Sequence, residues 1–168
     1  MRPRSILRSS PLALLLIASP AAAERVEIEG GAAHITFGTP DRESTPAVAI
    51  SLGVGAAINS TFDATLRGHV SVGDGVITAL GPHVRQRAGT YAFVGYGPAI
   101  ASVVGDRDRM MRARGIGLGA DLRAGIRFGD VTLTIEALPI WIFASDSLSP
   151  ESHLRNAVEI GIALGYQR

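Results

Sequence analysis

His69 and Ser71 lie two positions apart in a stretch where polar and apolar residues alternate, so on an extended chain their side chains share one face. A histidine beside a serine can serve as base and nucleophile in hydrolysis when a third group orients the ring. Spacing assigns no such third residue, and the plainer reading has His69 joining a polar network while Ser71 fills space beside it. Metal chemistry has less support: cysteine is absent, and His34, His69, His83 and His153 sit on separate segments, none at ligand spacing with another. The glycines of 115–119 copy part of a nucleotide-binding fingerprint, but they alternate within a strand-like stretch and no helix follows. They read as space-saving residues, and neither metal nor cofactor is expected.

Charge is the other source of chemistry. Asp63, Asp121, Glu136 and Glu159, with Arg67, Arg85, Arg123 and Arg127, all fall on the non-aliphatic faces of their stretches. If those faces meet in a confined space, four acids face four bases. An unpaired charge there would cost several kcal/mol, so a paired network closing the space is expected in preference to an ion path. The densest charge is the group Arg107, Arg109, Arg112 and Arg114, interleaved with Asp106 and Asp108. Net charge is only +1 and no lysine is present, which argues against a nucleic-acid partner.

The elements that must position these groups are strands. Residues 1–23 read as an export signal: Arg2, Arg4 and Arg8 precede the apolar run Leu12 to Ala18, and Ala21, Ala22 and Ala23 offer a cleavage site. The remainder, 24–168, is enough chain for one domain. Period-two alternation runs through 47–58, 61–72, 112–128, 131–143 and 156–166, with plausible further strands at 75–86 and 90–104. In 131–143 the second face itself turns apolar at Leu138, Ile140 and Ile142, which leaves its upper half ambiguous. A first strand near 25–37 changes face across Gly30 and Gly31, as a bulge would allow. Tight turns are expected at 59–60, 73–75, 87–89 and 129–130, and longer polar connections at 39–45, 105–111 and 144–154.

Eight such strands predict an all-β, single eight-stranded antiparallel up-and-down transmembrane β-barrel. Alternation alone would equally allow a soluble lipocalin-like carrier with an apolar lumen. The non-aliphatic faces decide against it, because Gly, Ala, Ser and Thr with a few charges suit a narrow interior better than a wetted surface. Aromatic placement agrees: Phe62, Phe128 and Tyr166 fall at one end of their strands and Trp141 and Phe143 at the other, as membrane-interface girdles require.

The carboxyl end adds a motif. Glu159, Gly161, Leu164 and Tyr166 resemble the terminal-strand assembly signal of bacterial outer-membrane barrels, with Gln167 and Arg168 following the aromatic instead of the chain ending there. The resemblance to small outer-membrane barrel proteins implies a bacterial outer-membrane location, handling by the assembly machinery, a monomer, and a structural or surface-interaction role with the three long connections outward. The His69 and Ser71 pair resembles that of the outer-membrane lipid A deacylases, which use His, Ser and Glu; a lipid-hydrolysing barrel is therefore the alternative of a different class. Arg112 and Arg114 would lie on the lipid-facing register at its outer end, where arginine is costly unless it reaches an anion. Lipopolysaccharide phosphates would supply one to Arg107, Arg109, Arg112 and Arg114.

Overall fold

A computed structural model describes residues 25–38, 44–107, 111–146 and 155–168. The export signal at 1–23 and Arg109 lie outside them, as do 39–43, 108–110 and 147–154 of the three long connections. Eight antiparallel strands follow in chain order: β1 (Arg25–Phe37), β2 (Ser44–Ala57), β3 (Phe62–Val72), β4 (Gly75–Ala88), β5 (Ala92–Arg107), β6 (Met111–Phe128), β7 (Val131–Asp146) and β8 (Asn156–Gln167). Each pairs with its sequence neighbours, and β8 returns to β1, closing the barrel without a free edge. The described part of the chain thus has the expected all-β architecture.

The turns at the mouth holding Arg25 and Gln167, here the terminal mouth, are tight for local reasons. Asn59 folds its side-chain oxygen back onto the N–H groups of Thr61 and Phe62, at 2.8 and 2.9 Å. Gly89 and Gly129 take φ of +72° and +62°, the left-handed conformation that reverses a strand and that other residues adopt only with strain. At the opposite, far mouth the strands run further than the sequence indicates. β2 begins at Ser44, β5 extends to Arg107, β6 begins at Met111 and β7 extends to Asp146, consuming part of each long connection. The link between β3 and β4 stays tight, with Gly73 N–H donating to the Gly75 carbonyl at 2.8 Å.

The expected bulge at Gly30 and Gly31 is absent. Both glycines hold continuous register, opposite Ile50 and Ala49 on β2 and opposite Leu164 and Ala163 on β8. β1 keeps a single alternation to its end, so Ile35 and Phe37 point inward and are buried. The apparent change of face reflects a change in what the interior requires, not in backbone geometry. The register shift described in the barrel lies elsewhere, between Ile116 and Gly117 where β6 meets β7.

The interior has two halves. Toward the far mouth it is apolar, built from Ile35, Phe37, Ile77, Val103, Leu138 and Ile140 with alanines between them. This resolves the ambiguity of the seventh strand: Leu138 and Ile140 fill the lumen, while Trp141 and Phe143 face outward. Glycines on β6 make the room, since a Cβ at Gly115 would come within 2.6 Å of Ile142, and one at Gly117 within 2.9 Å of Ile140. Toward the terminal mouth the interior is charged. The outer surface inverts a soluble protein: Val48, Ile50, Leu52 and Val54 on β2 and Ile160, Ile162 and Leu164 on β8 are all exposed.

Candidate functional site

The charged half of the lumen is the most elaborate chemistry in the molecule. Its centre is Arg67, which β3 points inward between Thr65 and His69. The guanidinium donates to Asp121 at 2.6 Å on β6, Glu136 at 2.7 Å on β7 and Glu29 at 3.2 Å on β1. A planar fork of five donors is what lets one side chain hold three carboxylates from three strands. Glu29 also accepts from Arg123 and from the hydroxyls of Thr132, at 3.3 Å, and Thr134, at 3.0 Å.

Closer to the terminal mouth, Arg85 donates to Glu27 and to the Gln167 side chain at 2.7 Å, and its guanidinium stacks 4.3 Å from the Phe93 ring centre. Asp63 takes Arg25 on one oxygen and Arg87, at 2.6 Å, on the other. On the far side of Arg67, His69 Nε2 meets Glu159 at 3.0 Å and His69 Nδ1 meets the Ser51 hydroxyl at 2.8 Å. The network thus joins seven strands and ends where the apolar half begins.

Seven of the eight charged residues assigned to the interior from sequence converge here: Asp63, Arg67, Arg85, Asp121, Arg123, Glu136 and Glu159. Arg127 does not. It sits at the terminal rim with its side chain 35% exposed, 3.8 Å from Asp130 and bonded to the Gly129 carbonyl, because its strand ends one residue later. Glu27 and Glu29 were missed, although the run Val26, Glu27, Ile28, Glu29 places both acids on one face by the same alternation. Reading the strand as broken at Gly30 obscured that face.

Ser71 is more than filler: fully buried, it donates to Glu159 at 2.6 Å. Glu159 therefore is a third residue touching both members of the pair, a convergence over 88 positions that spacing could not reveal. Ser71 is not placed as a nucleophile on His69, since it bonds the carboxylate while Ser51 meets the ring's Nδ1, and all four groups are enclosed. His69, Glu136 and Glu159 also bring ligand-type atoms within 4.8 Å of one another, a juxtaposition that histidine spacing did not indicate. Arg67, 2.7 Å from Glu136, already provides the countercharge a cation would bring.

Of the arginine group, Arg114 lies exposed on the outward face, opposite Asp146 on β7. The backbone sets Arg112 opposite Asp106 and Arg107 opposite Met111 near the far mouth. In the carboxyl motif, Glu159 and Gly161 face inward, and Leu164 and Tyr166 face outward. Gln167 and Arg168, the residues beyond the usual final aromatic, close the seam. Gln167 holds Arg85, and Arg168 exchanges backbone hydrogen bonds with Val26 at 2.8 and 3.0 Å.

Solved structures that this chain resembles include outer-membrane barrels. Neisserial surface protein A superposes with a TM-score of 0.53 at 13% identity, covering 84% of this chain and 95% of that one. The N-terminal β-barrel domain of Pseudomonas aeruginosa OprF gives 0.50 at 14%, covering 86% and 97%. The outer membrane protein OprG of Pseudomonas aeruginosa gives 0.50 at 13%, covering 88% and 97%. This chain has the fold of the small eight-stranded outer-membrane barrels. No protein-family model and no curated protein matches the sequence. At such low identity the likeness is one of fold and transfers no residue roles.

Proposed function

We propose that the protein is a bacterial outer-membrane barrel with a structural or surface-interaction role and a closed lumen. One observation carries this reading: twenty-eight large apolar side chains on the described strands are exposed on the outer face, while the lumen buries glutamates, aspartates and arginines. A water-soluble protein does not expose a continuous apolar belt of this extent, whereas acyl chains require one, with the backbone bonds closed in a barrel. Phe62, Phe128 and Tyr166 toward one mouth and Trp141 and Phe143 toward the other border the belt as girdles would. The same orientation argues against a lipocalin-like carrier, whose apolar ligand would need the space that Ile35, Ile77 and Ile140 fill.

In this reading the terminal mouth faces the periplasm, residues 1–23 direct export, and the carboxyl strand is read by the assembly machinery. The far mouth carries the connections around 39–43, 108–110 and 147–154 outward. Arg114, with Arg107, Arg109 and Arg112, would supply the contact to lipopolysaccharide phosphates at the outer leaflet. The apolar half and the paired charges fill the described lumen, which supports a scaffold or surface partner rather than a pore.

Two measurements test this. Fractionated cells should retain the protein in the outer membrane, with migration on a gel that changes on heating; release with the periplasm would refute the membrane assignment. Planar-bilayer recordings should show no steady conductance, and reproducible open channels would refute the closed lumen.

A further inference from the structure

The terminal mouth is not filled like the rest of the lumen. It opens into a cavity of about 390 Å³, within the ~300–1,000 Å³ over which small-molecule sites commonly range. Arg25, Arg85, Arg87 and Arg127 line it, and Asp63 is the one carboxylate among its lining residues. Ser60 and Thr90 add hydroxyls from the turns.

The cationic excess survives a count of partners among the described residues. Asp63 is shared between Arg25 and Arg87. Glu27, behind Arg85, is shared with Arg123. Asp130 stands 3.8 Å from Arg127, beyond hydrogen-bond reach. Among the described residues, four guanidiniums thus answer to three carboxylates, one of them distant and another divided with a fifth arginine. Arg87 and Arg127 keep 30% and 35% of their side chains exposed, and the buried Arg85 retains an Nε with no acceptor in the protein. Like charges gathered in a partly desolvated hollow are unfavourable alone and become favourable once a multivalent anion joins them.

We propose that this mouth is a binding site for a phosphate-class oxyanion, with Arg87 and Arg127 as its exposed donors and Arg25 and Arg85 behind them. Paired N–H donors on guanidinium match phosphate oxygens in geometry as well as charge. The phosphate can be that of a soluble phosphorylated molecule or of a phospholipid headgroup from the adjoining leaflet. The inference goes beyond the structural role, and it concerns the opposite mouth from the lipopolysaccharide contact.

The test uses the full mature chain in a phosphate-free, uncharged detergent. Calorimetric titration with pyrophosphate at low salt reads the soluble source, and native mass spectrometry after incubation with phosphatidylglycerol reads the headgroup source. Saturable binding in either arm is expected, weakened at least about tenfold by Arg127→Gln and by Arg87→Gln, each loss removing a charge-assisted contact. Arg114→Gln, at the far mouth, should leave it unchanged. Arg127→Gln disturbs only a carbonyl contact and a long ion pair, so its barrel should keep the heat-modifiable gel shift. Binding in neither arm, or binding that Arg127→Gln and Arg87→Gln leave intact, would overturn the proposal. Equal loss on Arg114→Gln would overturn it too, because the site would then lie at the other mouth.

Discussion

Replacing Arg67 by Met keeps most of the side chain's volume and removes only its charge and its five donors. Asp121 and Glu136 then lose partners at 2.6 and 2.7 Å, and Glu29 loses one at 3.2 Å. Glu29 keeps Arg123 and two threonine hydroxyls, so its loss is the smallest. Glu136 keeps only His69, at 3.9 Å, and has almost no access to water. One buried carboxylate left without its countercharge costs about 3–5 kcal/mol, a large share of the ~5–15 kcal/mol that typically separates folded from unfolded domains. Unfolding by guanidinium in lipid vesicles, followed by the fluorescence of the single tryptophan, Trp141, should register that loss. Adding Glu136→Gln to Arg67→Met should recover part of it, since the orphaned charge is then gone. A change below about 1 kcal/mol for Arg67→Met would mean that water already solvates these groups, and the paired lumen would be refuted.

Three further outcomes follow from the two-sided architecture. Ile140→Ala, at the heart of the apolar half, should cost about 2–4 kcal/mol through the cavity it leaves, read by the same unfolding assay; near-neutrality would show that half to be loosely filled. Ile162→Arg, midway along β8 on the outer face, should cost about 2–4 kcal/mol in bilayers, and no cost there would deny that this face meets acyl chains. Thr134→Val should be milder, because Glu29 keeps two arginines when the 3.0 Å hydroxyl contact is lost, about 1 kcal/mol; a loss above that of Arg67→Met would displace Arg67 from the centre of the network.

The barrel was legible because period two is a strong signal when one face is aliphatic without interruption. Leu66, Val70 and Val72 set against Asp63, Arg67, His69 and Ser71 are enough to orient β3. The lumen network was legible to the extent that its members break an apolar pattern. Asp63 and Glu159 stand out in this way. What escaped was composition that changes along a single face. Ile35 and Phe37 follow Glu27 and Glu29 on the same side of β1, and Leu138 and Ile140 follow Thr132, Thr134 and Glu136 on β7. A rule that expects one polarity per face reads the first case as a bulge and the second as ambiguity. Both record one boundary crossing the barrel axis. The meeting of Ser71, His69 and Glu159 escaped for another reason: it depends on which strands face each other across the lumen, which closure decides and local sequence does not.

That boundary bears on how the two mouths divide their work. A lumen charged throughout would need every ion paired along its length or would admit water from end to end. Here Ile35, Ile77, Leu138 and Ile140 take over from Glu159 and Ser71, and the far half is filled by packing that needs no partners. The charges are thereby confined to the half that opens at the terminal mouth, where Arg87 and Arg127 emerge. An apolar filling on one side and an arginine-lined hollow on the other make the molecule chemically polar along its axis. Any ligand of the hollow must arrive and leave by that mouth, and any contact made at the far mouth must be made by its rim.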